Sequence, residues 1–380
     1  MASNWMKVLT GTLILQILNK ANAVSIYKAQ NDMNLKLVNV VFRHGDRAPD
    51  PAEMFPSDPH YNDSFYPQGL GGLTNVGKWR EYQLGHMLRE FYDKFLGDLV
   101  FPETVYARST DYKRTKASLQ LVLAGLYPPK GLQRWNNEID WQPIPTIYET
   151  DENDWLMIPE ECPEYLRELE RVRSLPEVVA KLESFREFLN SLTELTQKNA
   201  TSPVDMYNLY HILTAEAMMN LTLPEWTRDI FPEGKLLDGI NFWYEIFSYT
   251  PLMRRLNGGK LLRSIIDSMQ QVTDSTIAKD RKIYLYSGHE TNVAAVLQVL
   301  GLYKPHVPDY GSSVLFELFE SRGKYYVRVS YYRGVTATWE TQKIQGCAEF
   351  CLLEDFIRLL KDVTPLDDEL VCVKSKKSST

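Results

Sequence analysis

The sequence predicts an α/β fold: a mostly parallel central sheet flanked by helices, with a smaller α-helical domain inserted into it. Three observations carry this expectation. A strand–turn–helix pattern occurs three times, which implies parallel strands joined by helical crossovers. Between the second and third occurrences, from about residue 141 to about residue 268, period and charge pattern turn helical throughout. After the third, "SSVLFELFE" and "KYYVRVSYY" flank "SRG" and predict a β-hairpin.

The first unit opens with a β-branched apolar run, Leu35 to Phe42, which reads as a buried strand. A loop rich in Pro, Tyr and Gly follows, from Pro49 to Gly72. The segment "LTNVGKWREYQLGHMLREFYDKF" then sets Trp79, Leu84, Met87, Leu88, Phe91 and Phe95 at helical spacing, with Thr74 as the N-cap. The second unit, "TVYARSTDYKRTKASLQLVLAGLYP", has a short strand, a break at Arg108-Ser109-Thr110, and a helix ending before Pro128. The third has a strand at Lys282–Tyr286, a turn at Ser287-Gly288 and a helix from about Thr291. The middle segments "EYLRELERVRSLPEVVAKLESFREFLNSLTELTQ", "NLYHILTAEAMMN" and "GGKLLRSIIDSMQQV" form the helical domain, 141–268. The α/β domain is then discontinuous, 24–140 and 269–373, and the polar tail 374–380 is expected to be disordered.

Composition narrows the function classes. A net charge of -7 and a sequence pI of about 5.6 argue against nucleic acid as a partner, because phosphate-backbone binding needs a basic face. Any affinity for phosphate must come from a few placed arginines. The N-terminus reads as a secretory signal, residues 1–23: "MASNWMK" carries a lysine, "VLTGTLILQIL" is apolar, and "ANA" fits a cleavage site. No second apolar run long enough for a membrane anchor follows. Secretion makes the four cysteines candidates for two bridges. Cys347 and Cys351 are close enough to pair locally, leaving Cys162 with Cys372; zinc is the competing reading, weakened by the lack of a histidine at ligand spacing. Sequons at Asn62, Asn199 and Asn220 agree with a secreted glycoprotein.

In open parallel sheets ligands bind beyond the carboxyl ends of the strands. The three turns here hold Arg43, His44 and Arg47; Arg108; and His289 with Glu290. Arginines donate in bidentate fashion and suit a phosphate dianion. Their charge favours the neutral form of His44, which can attack phosphorus and become a phosphohistidine. Glu290 can protonate the leaving oxygen and later deprotonate water, and His289 adds a donor to the phosphate. No metal or other cofactor is called for, because guanidiniums supply the positive charge. Asp46 reads as the partner of a neighbouring arginine. His60, His86, His211 and His306 lie in no such cluster and read as structural or exposed.

"RHGDRAP" resembles the RHGxRxP signature of the histidine acid phosphatases, in particular the prostatic and lysosomal branch and the secreted insect venom type. "YPQGLGGLTNVGKWREYQLGHMLR", "ARSTDYKRT" and "YSGHETN" resemble further segments of that family in the same order. The resemblance implies His44 as nucleophile, Glu290 in the proton-donor position, and Arg43, Arg47, Arg108 and His289 as phosphate ligands. It also implies phosphate monoesters as substrates, an α/β domain with a smaller helical one, and frequent homodimers. The compartment would be extracellular fluid, venom, saliva or the lysosomal lumen. Two features depart from the family pattern. Glu290 stands where an aspartate is usual, and one of three common disulfides is absent, with Cys347–Cys351 and Cys162–Cys372 matching the other two. Rival readings are a phosphatase dedicated to inositol polyphosphates or lysophosphatidate, and a secreted binding protein impaired in catalysis.

Overall fold

A computed structural model describes residues 33–372. The expected signal segment and the polar tail lie outside the described residues. Strand β1 (Asn34–Arg43) is the apolar run. Its Leu37, Val38, Val40, Val41 and Phe42 are all fully buried, because helices cover both faces of the sheet. The other strands are β2 (Val105–Ser109), β3 (Ile147–Tyr148), β4 (Ile283–Gly288), β5 (Ser313–Ser321), β6 (Lys324–Arg333), β7 (Thr338–Gln342) and β8 (Cys351–Leu352). Their order in the sheet is β3-β2-β4-β1-β5-β6-β7, with β8 also paired to β6.

The α/β class is as expected, but the sheet is mixed rather than mostly parallel. Parallel pairing is confined to β3, β2, β4 and β1. The hairpin β5–β6 docks on the far side of β1 in the antiparallel sense, and β7 and β8 continue it. Its turn, Arg322-Gly323, has φ of 53° and 73° at the two positions. That geometry matches the twist of the flanking strands.

Helices α1 (Asn75–Leu96) and α2 (Lys113–Leu126) cover one face, packing Leu84, Leu88, Leu119 and Val122 onto Val38, Val40 and Phe42. Thr74 caps α1 as expected, its hydroxyl accepting from the Gly77 amide at 3.1 Å. Trp79 stays exposed and stacks on Tyr82 instead of joining the core. Next along the chain comes the helical lobe: α3 (Pro163–Arg173), α4 (Pro176–Glu183), α5 (Arg186–Thr196), α6 (Pro203–Met218), α7 (Lys235–Phe247) and α8 (Pro251–Leu256). Its core joins Tyr165, Leu192, Met206, Leu236 and Met253 with Phe55 from the Pro49–Gly72 loop. Then α9 (Gly258–Thr273), α10 (Glu290–Val299) and α11 (Leu353–Leu359) cover the second face, where Ile265, Val293, Val296 and Phe356 meet Leu37 and Val41.

This arrangement moves the lobe boundaries. Helix α9 was expected within 141–268, yet its apolar stripe packs on the sheet, as does Met157. The same amphipathic period serves a lobe helix and a sheet-covering helix; only the partner differs. The lobe is seated on α10 through Ile240, Tyr244 and Ala294. Both expected disulfides are formed, Cys162–Cys372 and Cys347–Cys351, with Cα separations of 5.3 and 5.2 Å. The zinc reading of these cysteines therefore falls. Among the described residues no helix is long and apolar enough to cross a membrane.

Candidate active site

Strand register assembles the site. In the parallel pairing of β1 with β4, Arg43 lies beside Gly288; in that of β2 with β4, Ser109 lies beside Ser287. The ladder continues one step past both strands, with the His44 amide donating to the Gly288 carbonyl and the Thr110 amide to that of Ser287. His44 and His289 therefore emerge side by side, their rings 5.5 Å apart and edge to face. Behind them the loop is pressed onto α1. A Cβ at Gly77 would lie 2.1 Å from the Asp46 carbonyl oxygen, so only glycine permits this approach. Asp46 then grips Arg80 through both carboxylate oxygens, at 2.5 and 3.1 Å, the arginine pairing expected of it.

His44 is 1 % exposed. Its Nδ1 lies 2.8 Å from the Gly45 carbonyl oxygen, an acceptor only, so Nδ1 carries the proton. Nε2 is left unprotonated, and it accepts from Arg114 Nε at 3.2 Å. Burial, followed by the charges of Arg114, Arg43 and Arg47, holds the His44 pKa well below its ordinary value. His289 meets the Thr110 hydroxyl at 3.0 Å and has its pKa lowered to about 3, by burial first and Arg114 next. Both imidazoles are neutral in mild acid.

Each arginine near the cluster is matched to a carboxylate. Arg43 is buried over the Tyr310 ring, with its Cζ 4.1 Å from the centroid; it donates to the Pro308 carbonyl at 2.7 Å and pairs with Glu290 at 3.3 Å. Arg47 is forked onto Glu53, and Arg114 pairs with Asp50 at 3.2 Å. The Nε atoms of Arg43 and Arg47 are buried without a hydrogen-bond partner, that of Arg43 facing Glu290 only as an ion pair. Glu290 accepts from the Tyr207 hydroxyl and is 3 % exposed. Burial alone would raise its pKa, but Arg43, His211, His289 and Tyr207 together outweigh it, leaving the group well below the carboxylate range.

Of the residues expected at the site, the structure thus gathers Arg43, His44, Arg47, His289 and Glu290. Arg108 lies elsewhere. It sits within β2, paired in register with Tyr286 and Ile147, so its side chain projects from a face of the sheet and not from the strand end. There Asp154 accepts its Nη2 hydrogen bond at 2.7 Å. The third guanidinium beside His44 is Arg114, which sequence reasoning missed. It opens α2 after the turn, and a helix N-terminus following a strand was the available signal, being a ready anion site. His211 was also misjudged: it is 1 % exposed, with Nδ1 3.5 Å from Arg43 Nη2 and Nε2 3.6 Å from Glu290. Beside the cluster opens a cleft of about 670 Å³, lined by Asp50, Gln68–Leu73, Lys78, Asp111–Arg114 and Ala117.

A neutral imidazole with one unprotonated nitrogen, ringed by guanidiniums at the carboxyl ends of parallel strands, is the setting of an enzyme site suited to an anion. Comparison with known proteins gives the family. Residues 34–332 match the model of the histidine phosphatase superfamily, branch 2. The chain is 48% identical to venom acid phosphatase Acph-1 of Apis mellifera over 341 residues, covering 90% of this chain and 88% of the other. It is 35% identical to prostatic acid phosphatase of Homo sapiens over 352 residues, covering 89% and 88%. A phytase from Hafnia alvei solved with tartrate superposes with a TM-score of 0.65 at 19% identity, over 88% of this chain and 98% of that one, a likeness of fold. The chain belongs to the histidine phosphatase superfamily, branch 2, and has the acid-phosphatase type of hydrolase activity.

Proposed function

We propose that this protein is a secreted, metal-independent acid phosphatase of broad specificity that cleaves phosphate monoesters through a phosphohistidine. The observation that carries this reading is the His44 tautomer: Nδ1 is tied to the Gly45 carbonyl while Nε2 faces Arg114. Arg43, Arg47, Arg114 and His289 bind the phosphate oxygens, and His44 Nε2 bonds to phosphorus as the ester P–O bond breaks. Arg114 takes the role first expected of Arg108. Glu290 gives its proton to the leaving oxygen, then accepts one from the water that cleaves the P–N bond. In the resting site Glu290 is anionic. An arriving dianion draws on Arg43 and adds negative charge beside the carboxylate, and both raise its affinity for a proton. Mild acid favours that uptake.

The cleft beside Arg114 supports broad specificity. It mixes Lys78 and Lys113 with Asp50 and Asp111, and Leu70 and Leu73 with Tyr112, which neither concentrates charge for a polyanion nor forms an apolar channel. Secretion is supported by both disulfides and by exposure of all three sequon asparagines, Asn62, Asn199 and Asn220. A homodimer through edge strand β3 is supported by exposed Ile147 and Tyr148 and, just before them, Trp135, Ile139 and Trp141. Sedimentation at micromolar concentrations tests that contact: Trp135→Arg should shift the protein toward monomer.

The central test expresses residues 24–380 through a secretory route and assays an aryl phosphate from about pH 4 to about pH 8, with and without chelator. Turnover should lie on the acid side, ignore chelator and vanish in His44→Ala. Folded protein without turnover at any pH would instead favour the binding-protein reading.

A further inference from the structure

Glu290 is one methylene longer than the aspartate usual at this position, so its carboxylate needs a different anchor to meet a leaving group correctly. The two carboxylate oxygens are held differently. Oε2 faces Arg43 Nε at 3.3 Å, on the side where phosphate docks. Oε1 faces the helical lobe, where it accepts from the Tyr207 hydroxyl and lies 3.6 Å from His211 Nε2. Tyr207 and His211 are four residues apart on α6, one turn of helix, and their rings meet edge to face with centroids 4.3 Å apart. Arg43 can only donate, so the contact from its Nη2 makes His211 Nδ1 the acceptor. His211 Nε2 then carries the ring proton, is buried, and has no hydrogen-bond partner of its own. Burial and Glu290 push the Tyr207 phenol up, so it remains a donor.

We propose that Tyr207 and His211 are positioning residues: they hold Glu290 by Oε1 and so aim Oε2, which carries the transferred proton, at the leaving-group oxygen. This rests on the phosphohistidine reading above and adds to it a task for the lobe. In the step concerned, the His44 Nε2–P bond forms, the ester P–O bond breaks, and the proton on Oε2 passes to the departing oxygen. Tyr207 and His211 keep their own protons throughout. The lobe is docked on α10 through Ile240, Tyr244 and Ala294, so the helix bearing Glu290 and the lobe holding it form one packed unit.

The test exploits the leaving group. A nitrophenolate departs without help, whereas an alkoxide needs the acid, so the ratio of kcat/KM for nitrophenyl phosphate to that for an alkyl phosphate reports how well Glu290 is aimed. Tyr207→Phe and His211→Leu should each raise this ratio at least about tenfold, a modest share of what general acid catalysis provides. His211→Gln, whose amide nitrogen can replace Nε2–H, should return it to within about twofold of wild type. A merely structural role would lower both substrates together and leave the ratio fixed; that result in both Tyr207→Phe and His211→Leu overturns the proposal. Should His211→Leu fail to fold, Tyr207→Phe removes a single oxygen and reads the same ratio. His44→Ala separates the two claims. Residual nitrophenyl phosphate hydrolysis there would sink the phosphohistidine, while an inactive His44→Ala with an unmoved ratio would sink only the positioning role.

Discussion

Arg43 Nε lies 3.3 Å from Glu290 Oε2, so the guanidinium next to His44 in the chain already holds a carboxylate. Arg47 with Glu53 and Arg114 with Asp50 repeat the arrangement. A cluster of cations beside a histidine is thus stable without any bound anion, because the chain supplies its own. A phosphate bound as proposed would compete with these carboxylates for the same donors.

That competition makes Glu290→Gln informative. Removing the carboxylate leaves Arg43 as a buried charge without its ion-pair partner, which costs roughly 3 kcal/mol. The unfolding midpoint should fall, and inorganic phosphate should raise it by more than it raises that of wild type. Thermal melts with and without phosphate check this; an equal or smaller shift in the variant would show that Glu290 does not compete.

Arg114 and Arg108 should separate cleanly. Arg114→Ala removes a guanidinium in contact with His44, and kcat/KM for an aryl phosphate should fall at least about a hundredfold, the scale of a lost transition-state donor. Arg108→Ala leaves Asp154 buried and unpaired, so it should lower the unfolding midpoint while kcat/KM stays within about threefold. The reverse pattern would restore Arg108 to the site.

Stability should fall as pH rises above the ordinary carboxylate range, and Glu216 is one buried group expected to cause it, beside Glu81. Burial, reinforced by Asp58, raises the Glu216 pKa to about 9 from an ordinary value of 4.5. The folded state keeps a proton that the unfolded chain releases above pH 4.5, so stability is full below that pH and drains as pH rises toward 9. Glu216→Gln should flatten this limb, raising the melting midpoint at pH 8 relative to wild type and changing little near pH 4. An unchanged alkaline slope would mean that another group is responsible.

The Cys162–Cys372 bridge spans a sequence separation of 210 residues. Replacing both cysteines by serine should cost about 2–5 kcal/mol, read from denaturant midpoints. The local Cys347–Cys351 bridge, closing a separation of 4, should cost less. Equal losses would count against an unfolded-state origin for the difference.

What could be read from the sequence was whatever local period or the strand-end rule controls. The run Leu35–Phe42 signals a strand buried on both faces, and the residues just past it and past β4 fall where ligands bind. Arg108 misled because the end of a strand is set by pairing: β2 continues to Ser109, so Arg108 points off a face. The lobe boundary misled because an amphipathic stripe does not name its partner, and α9 found the sheet. Tyr207 and His211 carry no local signal, since Glu290 lies 83 residues beyond the first. The Glu-for-Asp change was visible, but the side chains that accommodate it were not.

Strand β4 is wedged between β1 and β2, which do not touch each other without it. His44 leaves the ribosome early, while His289 and Glu290 are made only after the whole lobe. A nascent or truncated chain therefore presents no assembled catalyst, however well its first half has folded. The order of synthesis itself keeps the cluster unassembled until nearly all of the chain has been made.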